Sequence, residues 1–363
     1  MTQRTRKTNN KQEKLSDQVE KKVTQKKKES NKEKVFHPSE GRFENMISTG
    51  STLLDLAISG GKVKGGGIPG GITIEVFGPP SIGKTSILCE IAGAIKRQGG
   101  ETRFHDPEAR LSTIFAQIFD FDLKEDEISH PNTPKDVFDD LQKWKAKNTK
   151  IVNGIFVDSM AALASDMEME GKKDEYSRRA KLFSQGLRIN ARLISNSNYL
   201  FVCSNQIRDN IDAGFGEKYT TTGGWAFKFY GSLRLKATKQ IPQRNPKITR
   251  EVTYKGKKYV KTVGIGIDVK VDKSSIWEPY NTAPVYIIWD YGLDDVRANL
   301  EYVKKITGDT IYKISNTKLA NSMEESIKIV EKDELEDQLK NQVINLWEEL
   351  QEKFKKQRKK KRR

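Results

Sequence analysis

At 363 residues the chain is too long for a mini-protein and calls for a main domain with smaller appendages. Apolar residues make up 35% and charged residues 31%, enough of a core to exclude a wholly disordered chain. No run of eighteen apolar residues occurs, and the lysine-rich start lacks an apolar leader, so the expectation is a cytosolic protein that neither spans a membrane nor is secreted.

The net charge of +16 is unevenly placed. Residues 1–34 contribute +7 and residues 351–363 contribute +8, which leaves 44 basic and 43 acidic residues between 35 and 350. Both ends read as disordered basic tails. The C-terminal KKQRKKKRR reads as a polyanion tether that gains affinity by counterion release, and the same run would also serve as a nuclear address. For the N-terminal tail, a tether and a merely solubilising segment are equally open. Cys89 and Cys203 lie in apolar runs and read as reduced packing residues, without a disulfide or metal site.

From about residue 47, short apolar runs alternate with helical stretches, which predicts an α/β fold with a mostly parallel sheet flanked by helices. The predicted strands are 72–77, 102–106, 151–158, 199–206 and 284–290. Ser177 is the expected cap of a helix running to about Asn196, with Ala180, Phe183, Leu187, Ala191 and Ile194 on one face. Residues 248–271 alternate around Lys255-Gly256, the pattern of a β-hairpin ribbon. Beyond Asp294 the chain reads as a small helical C-terminal domain. The expected boundaries are thus a tail over 1–34, a core over 35–293, a helical domain over 294–350 and a tail over 351–363.

Directly after the strand ITIEVF comes Gly78-Pro79-Pro80-Ser81-Ile82-Gly83-Lys84-Thr85, with Ser86 opening a helical run. This is G-x-x-x-x-G-K-[ST] in the strand–loop–helix setting that phosphate binding requires. Backbone N–H groups would curl around the phosphates at the positive end of the helix. Lys84 would reach the β- and γ-phosphates, and the Thr85 hydroxyl would join a Mg²⁺ shell. Asp158, an acid at the end of the run IVNGIFVD, is the second expected metal anchor, because strand C-termini abut the phosphate site in open α/β sheets.

With these residues in place the sequence resembles the RecA family of ATP-dependent DNA strand-exchange recombinases, from ISTGSTLLDLAISGG (47–61) to about Leu293. GPPSIGKTS (78–86), FHDPEARL (104–111), FVDSMAALAS (156–165), FSQGLR (183–188), SNQIR (204–208) and TTTGGWAFKFYGSLRL (220–235) carry the likeness. It is nearer to the bacterial and phage branch than to the eukaryotic one. The resemblance implies a DNA-dependent ATPase that uses ATP and Mg²⁺ and forms a helical filament on single-stranded DNA. It further implies pairing of that strand with homologous duplex DNA in recombination and repair, in the cytoplasm of a bacterial or phage-infected cell, with loader or single-strand-binding proteins as further partners. A ring-forming helicase on the same core, and an accessory paralogue that hydrolyses little, remain the alternatives.

The resemblance also implies roles for single residues. Glu108 matches the carboxylate that activates the attacking water, and Gln206 the sensor of the γ-phosphate. The loop from Ile207 to Thr222 would line the DNA channel, with Thr220, Thr221, Thr222, Gly223 and Gly224 meeting phosphate oxygens. The stretch from Met169 to Tyr176 matches a shorter DNA loop. Arg188 and Arg208 match basic positions near DNA. Phe229 matches an aromatic that transmits between subunits, with a buried core aromatic as the other reading. Lys273 matches one of two lysines that reach a neighbouring subunit's ATP, whereas Ser275 stands where the other is expected. Phe115 would stack on the adenine, beside Ser112 where the family has an acid. The family's acidic tail is replaced by a basic one.

Overall fold

The computed structural model describes residues 41–165, 169, 176–209, 219–221, 226–240 and 246–355. The N-terminal tail, nearly all of the 169–176 stretch, Thr222, Gly223, Gly224 and residues 356–363 lie outside the described residues.

In chain order the first half comprises β1 (Arg42–Ile47), α1 (Thr52–Ser59), β2 (Ile68–Gly70), β3 (Ile72–Gly78), α2 (Lys84–Arg97), β4 (Thr102–His105), α3 (Thr113–Gln117), β5 (Ile128–Ser129), α4 (Pro134–Lys143) and β6 (Asn153–Val157). It continues with α5 (Tyr176–Asn196), β7 (Tyr199–Asp209), β8 (Tyr219–Thr221), α6 (Ala226–Tyr230), β9 (Leu233–Lys239), β10 (Lys247–Tyr254), β11 (Lys257–Ser274), β12 (Thr282–Ile288) and β13 (Gly292–Leu293). The C-terminal part holds α7 (Asp295–Thr307), the short pair β14 (Lys313–Ile314) and β15 (Thr317–Lys318), α8 (Met323–Lys332) and α9 (Glu336–Phe354).

Eleven strands form the main sheet, in the order β13-β12-β11-β9-β3-β7-β6-β4-β5, with β10 on β11 and β8 on β7. From β9 through β5 the pairing is parallel. From β9 outward to β13 it is antiparallel. Every residue of β3 is buried, as a strand with both faces covered must be, and its mostly apolar run made it readable in the sequence despite Glu75 at its middle. On one face α2 packs Ile87, Leu88, Ile91, Ala92 and Ile95 into the large core. On the other face α5 buries Phe183, Leu187 and Ile194 with Phe201 and Phe138.

Helix α5 begins at Tyr176, so Ser177 lies inside its first turn rather than at the expected cap. The β10–β11 ribbon turns at Lys255 (φ 48°) and Gly256 (φ 74°), the doubly left-handed geometry of a two-residue hairpin turn. Leu300, Val303, Val330, Leu339, Val343 and Trp347 of the C-terminal helices join the same apolar core as β3 and α2. Trp347 meets Trp277 edge-on at 5.6 Å. Helix α9 runs to Phe354, so the first four residues of the expected C-terminal tail are helical.

Candidate active site

The parallel register brings the strand ends together. Gly78 at the end of β3 pairs with Gln206 of β7, Val157 of β6 with Cys203, and His105 of β4 with Val157. Gly78, Ser204, Gln206, Asp158 and Asp106 therefore stand side by side at the carboxyl edge, where open α/β sheets place their ligands. The P-loop leaves β3 there and enters α2. Its turn needs left-handed backbone at Ser81 (φ 57°) and Gly83 (φ 87°), and a Cβ on Gly83 would lie 2.2 Å from Ile287 Cδ1. Among the described residues no side chain caps the N-terminus of α2, so its first-turn N–H groups are available to a ligand.

A cavity of about 460 Å³ opens over this edge, lined by the loop from Pro80 to Ser86 and by Asp106, Glu108, Phe115, Asp158, Ser204 and Gln206, among others. Lys84 Nζ donates to the carbonyls of Gly78 (3.2 Å) and Pro79 (2.7 Å). Burial lowers its pKa, and the nearby Asp158 and Glu108 carboxylates oppose that shift. Thr85 Oγ1 donates to Asp158 Oδ2 at 2.6 Å, and Ser204 Oγ donates to the other oxygen of that carboxylate. Burial raises the Asp158 pKa against these two hydrogen bonds. A hydroxyl touching a carboxylate between a lysine and a helix N-terminus is a donor set that fits Mg²⁺ with a triphosphate.

Glu108 accepts from Ser159 Oγ at 3.1 Å and pairs with Arg110 at 2.6 Å. Glu108 lines the same cavity as the P-loop. Phe115 lines the wall and packs against Phe119, with ring centres 5.3 Å apart. Ser112, where an acid was expected, caps α3 by accepting from the Phe115 N–H at 3.1 Å. Gln206 reaches the cavity from β7, and its backbone N–H is held by Asn205 Oδ1 at 3.0 Å.

Other expected residues lie elsewhere. Lys273 is outside this cavity and donates to the carbonyls of Lys228 (2.6 Å) and Phe229 (3.1 Å) at the end of α6. Burial, with Arg234 adding, lowers its pKa. The Ser275 N–H donates to the Ser232 carbonyl at 2.8 Å. Phe229 is 71% exposed, which overturns the reading of it as a core aromatic. Arg188 is exposed on α5. The expected open loop after Gln206 starts and ends as a ladder, with Ile207 opposite Thr221 and Arg208 opposite Thr220.

Sequence reasoning missed the part of the cavity lining contributed by Ile265 of β11, Ile287 of β12 and Trp289. These come from the antiparallel extension, more than 170 residues after the P-loop, and no local pattern marks them. Asp106 and Ser204 were legible only as members of quoted motifs.

Among the described residues no helix is long and apolar enough to cross a membrane. The family model for the RecA N-terminal domain matches residues 17–294. Protein RecA of Delftia acidovorans is 36% identical over 253 residues, covering 68% of this chain and 63% of that protein. Protein RecA of Thermotoga neapolitana is 34% identical over 254 residues, covering 69% of this chain and 66% of the relative. Protein RecA of Thermus aquaticus is also 34% identical over 254 residues, covering 69% of each. The chain matches less than two thirds of the length of the first two relatives, and the span matched by the family model includes the cavity edge from β3 to β12. With this motif set on this sheet order, the chain belongs to the RecA family.

Proposed function

We propose that the protein is an ATP-dependent homologous recombinase that assembles as a filament on single-stranded DNA and exchanges that strand with a homologous duplex. The observation that carries this reading is the convergence of Lys84, Thr85, Asp158, Glu108 and Gln206 on one cavity in a chain of this family. ATP is the substrate, and Thr85 and Asp158 would hold its Mg²⁺, which supplies charge neutralisation to the phosphates. Lys84 offers a cation to the β- and γ-phosphates. Glu108, which contacts Ser159 and Arg110, would accept a proton from water.

Gln206 lies in the C-terminal part of β7, next to Ile207 and Arg208 of the segment expected to meet DNA, so a contact made or lost at its side chain would be felt along that strand. That gives ATP and DNA a shared element to act on, which is what a coupling free energy between two sites requires. Lys273, held away from its own chain's cavity, fits a role at the cavity of a neighbouring copy. Backbone contacts suffice for the DNA, because base pairing supplies the sequence recognition. The relatives' shared name disfavours a ring helicase or an accessory protein.

The test is ATP turnover with and without single-stranded DNA, followed by electron microscopy of the same mixture. Stimulated turnover with helical polymers supports the proposal. DNA-independent turnover by rings or monomers contradicts it.

A further inference from the structure

The far half of the β10–β11 ribbon carries chemistry that the nucleotide cavity does not use. Between two charged tails the chain is nearly neutral, yet residues 247–261 hold six basic side chains and one acid. The register fixes which of them share a face: Arg250 opposite Lys261, Val252 opposite Tyr259, and Tyr254 opposite Lys257. That face presents three cations, two tyrosines and a valine, with no carboxylate. The single acid, Glu251, falls on the other face, where Lys258 binds it at 2.7 Å. Among the described residues no carboxylate pairs with Arg250, Lys257 or Lys261.

All six side chains are exposed, with Tyr254 at 60% and Tyr259 at 51%. Like charges directly opposed across two strands destabilise the pair, and Arg250 faces Lys261 in that way. Tyr254 and Tyr259 are diagonal neighbours, and the Lys255 ammonium lies 5.4 Å from the centre of the Tyr254 ring, adding charge at the tip. Phosphates set between the cations and flat bases laid on the tyrosines would relieve both the repulsion and the exposed aromatic surface. A duplex keeps its bases stacked inside and offers nothing to the rings.

We propose that this ribbon face binds single-stranded nucleic acid, with Arg250, Lys257 and Lys261 neutralising three phosphates and Tyr254 and Tyr259 stacking bases. The site is separate from the P-loop cavity and works without nucleotide, so it stands or falls independently of the function proposed above.

The full chain, free of nucleotide, is irradiated with an oligothymidylate carrying 5-iodouracil, and the adducts are mapped by mass spectrometry. In parallel, the salt dependence of oligothymidylate binding is compared between wild type and the triple variant R250Q/K257Q/K261Q. The expected adducts are at Tyr254 or Tyr259. The slope of log affinity against log salt becomes shallower by about 2, at roughly 0.7 per phosphate, so the loss of affinity between 50 and 200 mM salt shrinks about 20-fold. Tyr254→Leu or Tyr259→Leu weakens binding by about fivefold or more per ring and leaves the slope unchanged. Adducts confined to other peptides, or an unchanged slope in the triple variant, overturn the proposal. So does a variant altered only in duplex binding or in self-association by sedimentation, which would assign the ribbon to a duplex or to a second copy of the chain. ATP turnover measured without DNA is unaffected in these variants under every outcome, so failure here leaves the P-loop reading standing.

Discussion

Replacing Arg234 with Met probes the most consequential buried charge in the sheet. Glu75, in the middle of β3, has no exposed surface. Its Oε2 accepts from Arg234 Nε at 2.6 Å and its Oε1 from Asn205 Nδ2 at 2.8 Å. Arg234 also donates to Asp272 at 3.0 Å and lies 4.4 Å over the Phe77 ring. Without the guanidinium, Glu75 retains, among the described residues, one neutral donor, Asn205 Nδ2. Breaking a buried pair from one side costs about 3–5 kcal/mol, and the lost ring contact adds about 1 kcal/mol. Removing both charges, in Glu75→Leu with Arg234→Met, takes away the stranded carboxylate, while the part-exposed Asp272 turns to water. Recovery is incomplete because the hydrogen bond from Asn205 Nδ2 to Glu75 is lost as well. The single and double variants are compared by urea unfolding at one protein concentration. A coupling of at least about 2 kcal/mol is expected, and strictly additive costs, or a loss below about 1 kcal/mol for Arg234→Met, would refute the reasoning. Because Asn205 also holds the Gln206 N–H, the same substitution should weaken the response of DNA binding to nucleotide.

Three further outcomes are expected. Glu108→Gln keeps nucleotide affinity within about threefold and lowers turnover by about 10²–10⁴; loss of binding in an equilibrium titration would make Glu108 a structural residue. Gly83→Ala, at φ 87° and against Ile287, destabilises the fold by about 1–2 kcal/mol in thermal unfolding and impairs nucleotide binding, whereas wild-type behaviour would mean the loop has other room. Burial pushes buried His105 down to about 4, with Asp140 opposing and Arg103 assisting. Its folded pKa thus lies below the unfolded value of about 6.5, so the unfolded chain binds more protons between the two, and stability falls as pH drops from about 6.5 towards 4. His105→Asn should remove a few kcal/mol of that dependence; an unaltered pH profile of unfolding would show that His105 is not its source.

How legible each part was follows from where its determinants lie. The strands β3, β6 and β7 were readable because burial on both faces writes a short, mostly apolar, β-branched and aromatic run into the sequence, which in β3 survives the single charge of Glu75. The ribbon was readable because only a residue such as Gly256 tolerates its turn. The P-loop and Asp158 were readable from motif and strand-end position, whereas Gln206 came only from the family resemblance; the parallel register then joins all three. By contrast β9 is central yet carries Arg234, Lys236 and Lys239, so its charge masked its position until Glu75 and Asp272 were seen to neutralise Arg234. Trp289 gave no signal: it follows β12, is 53% exposed, and reaches the cavity only through the antiparallel extension. Ser112 looked like a missing acid because its capping bond to Phe115 is a three-dimensional fact.

The central claim is that a triphosphate held by Lys84, Thr85 and Asp158 controls the grip on DNA. The direct measurement is the affinity of the full chain for a labelled oligothymidylate at fixed salt, with and without ATP-Mg²⁺, beside Lys84→Ala. The account predicts tighter, cooperative binding with nucleotide in the wild type and no such gain in the variant. Equal affinity with and without nucleotide in the wild type, or an undiminished gain in Lys84→Ala, would contradict it.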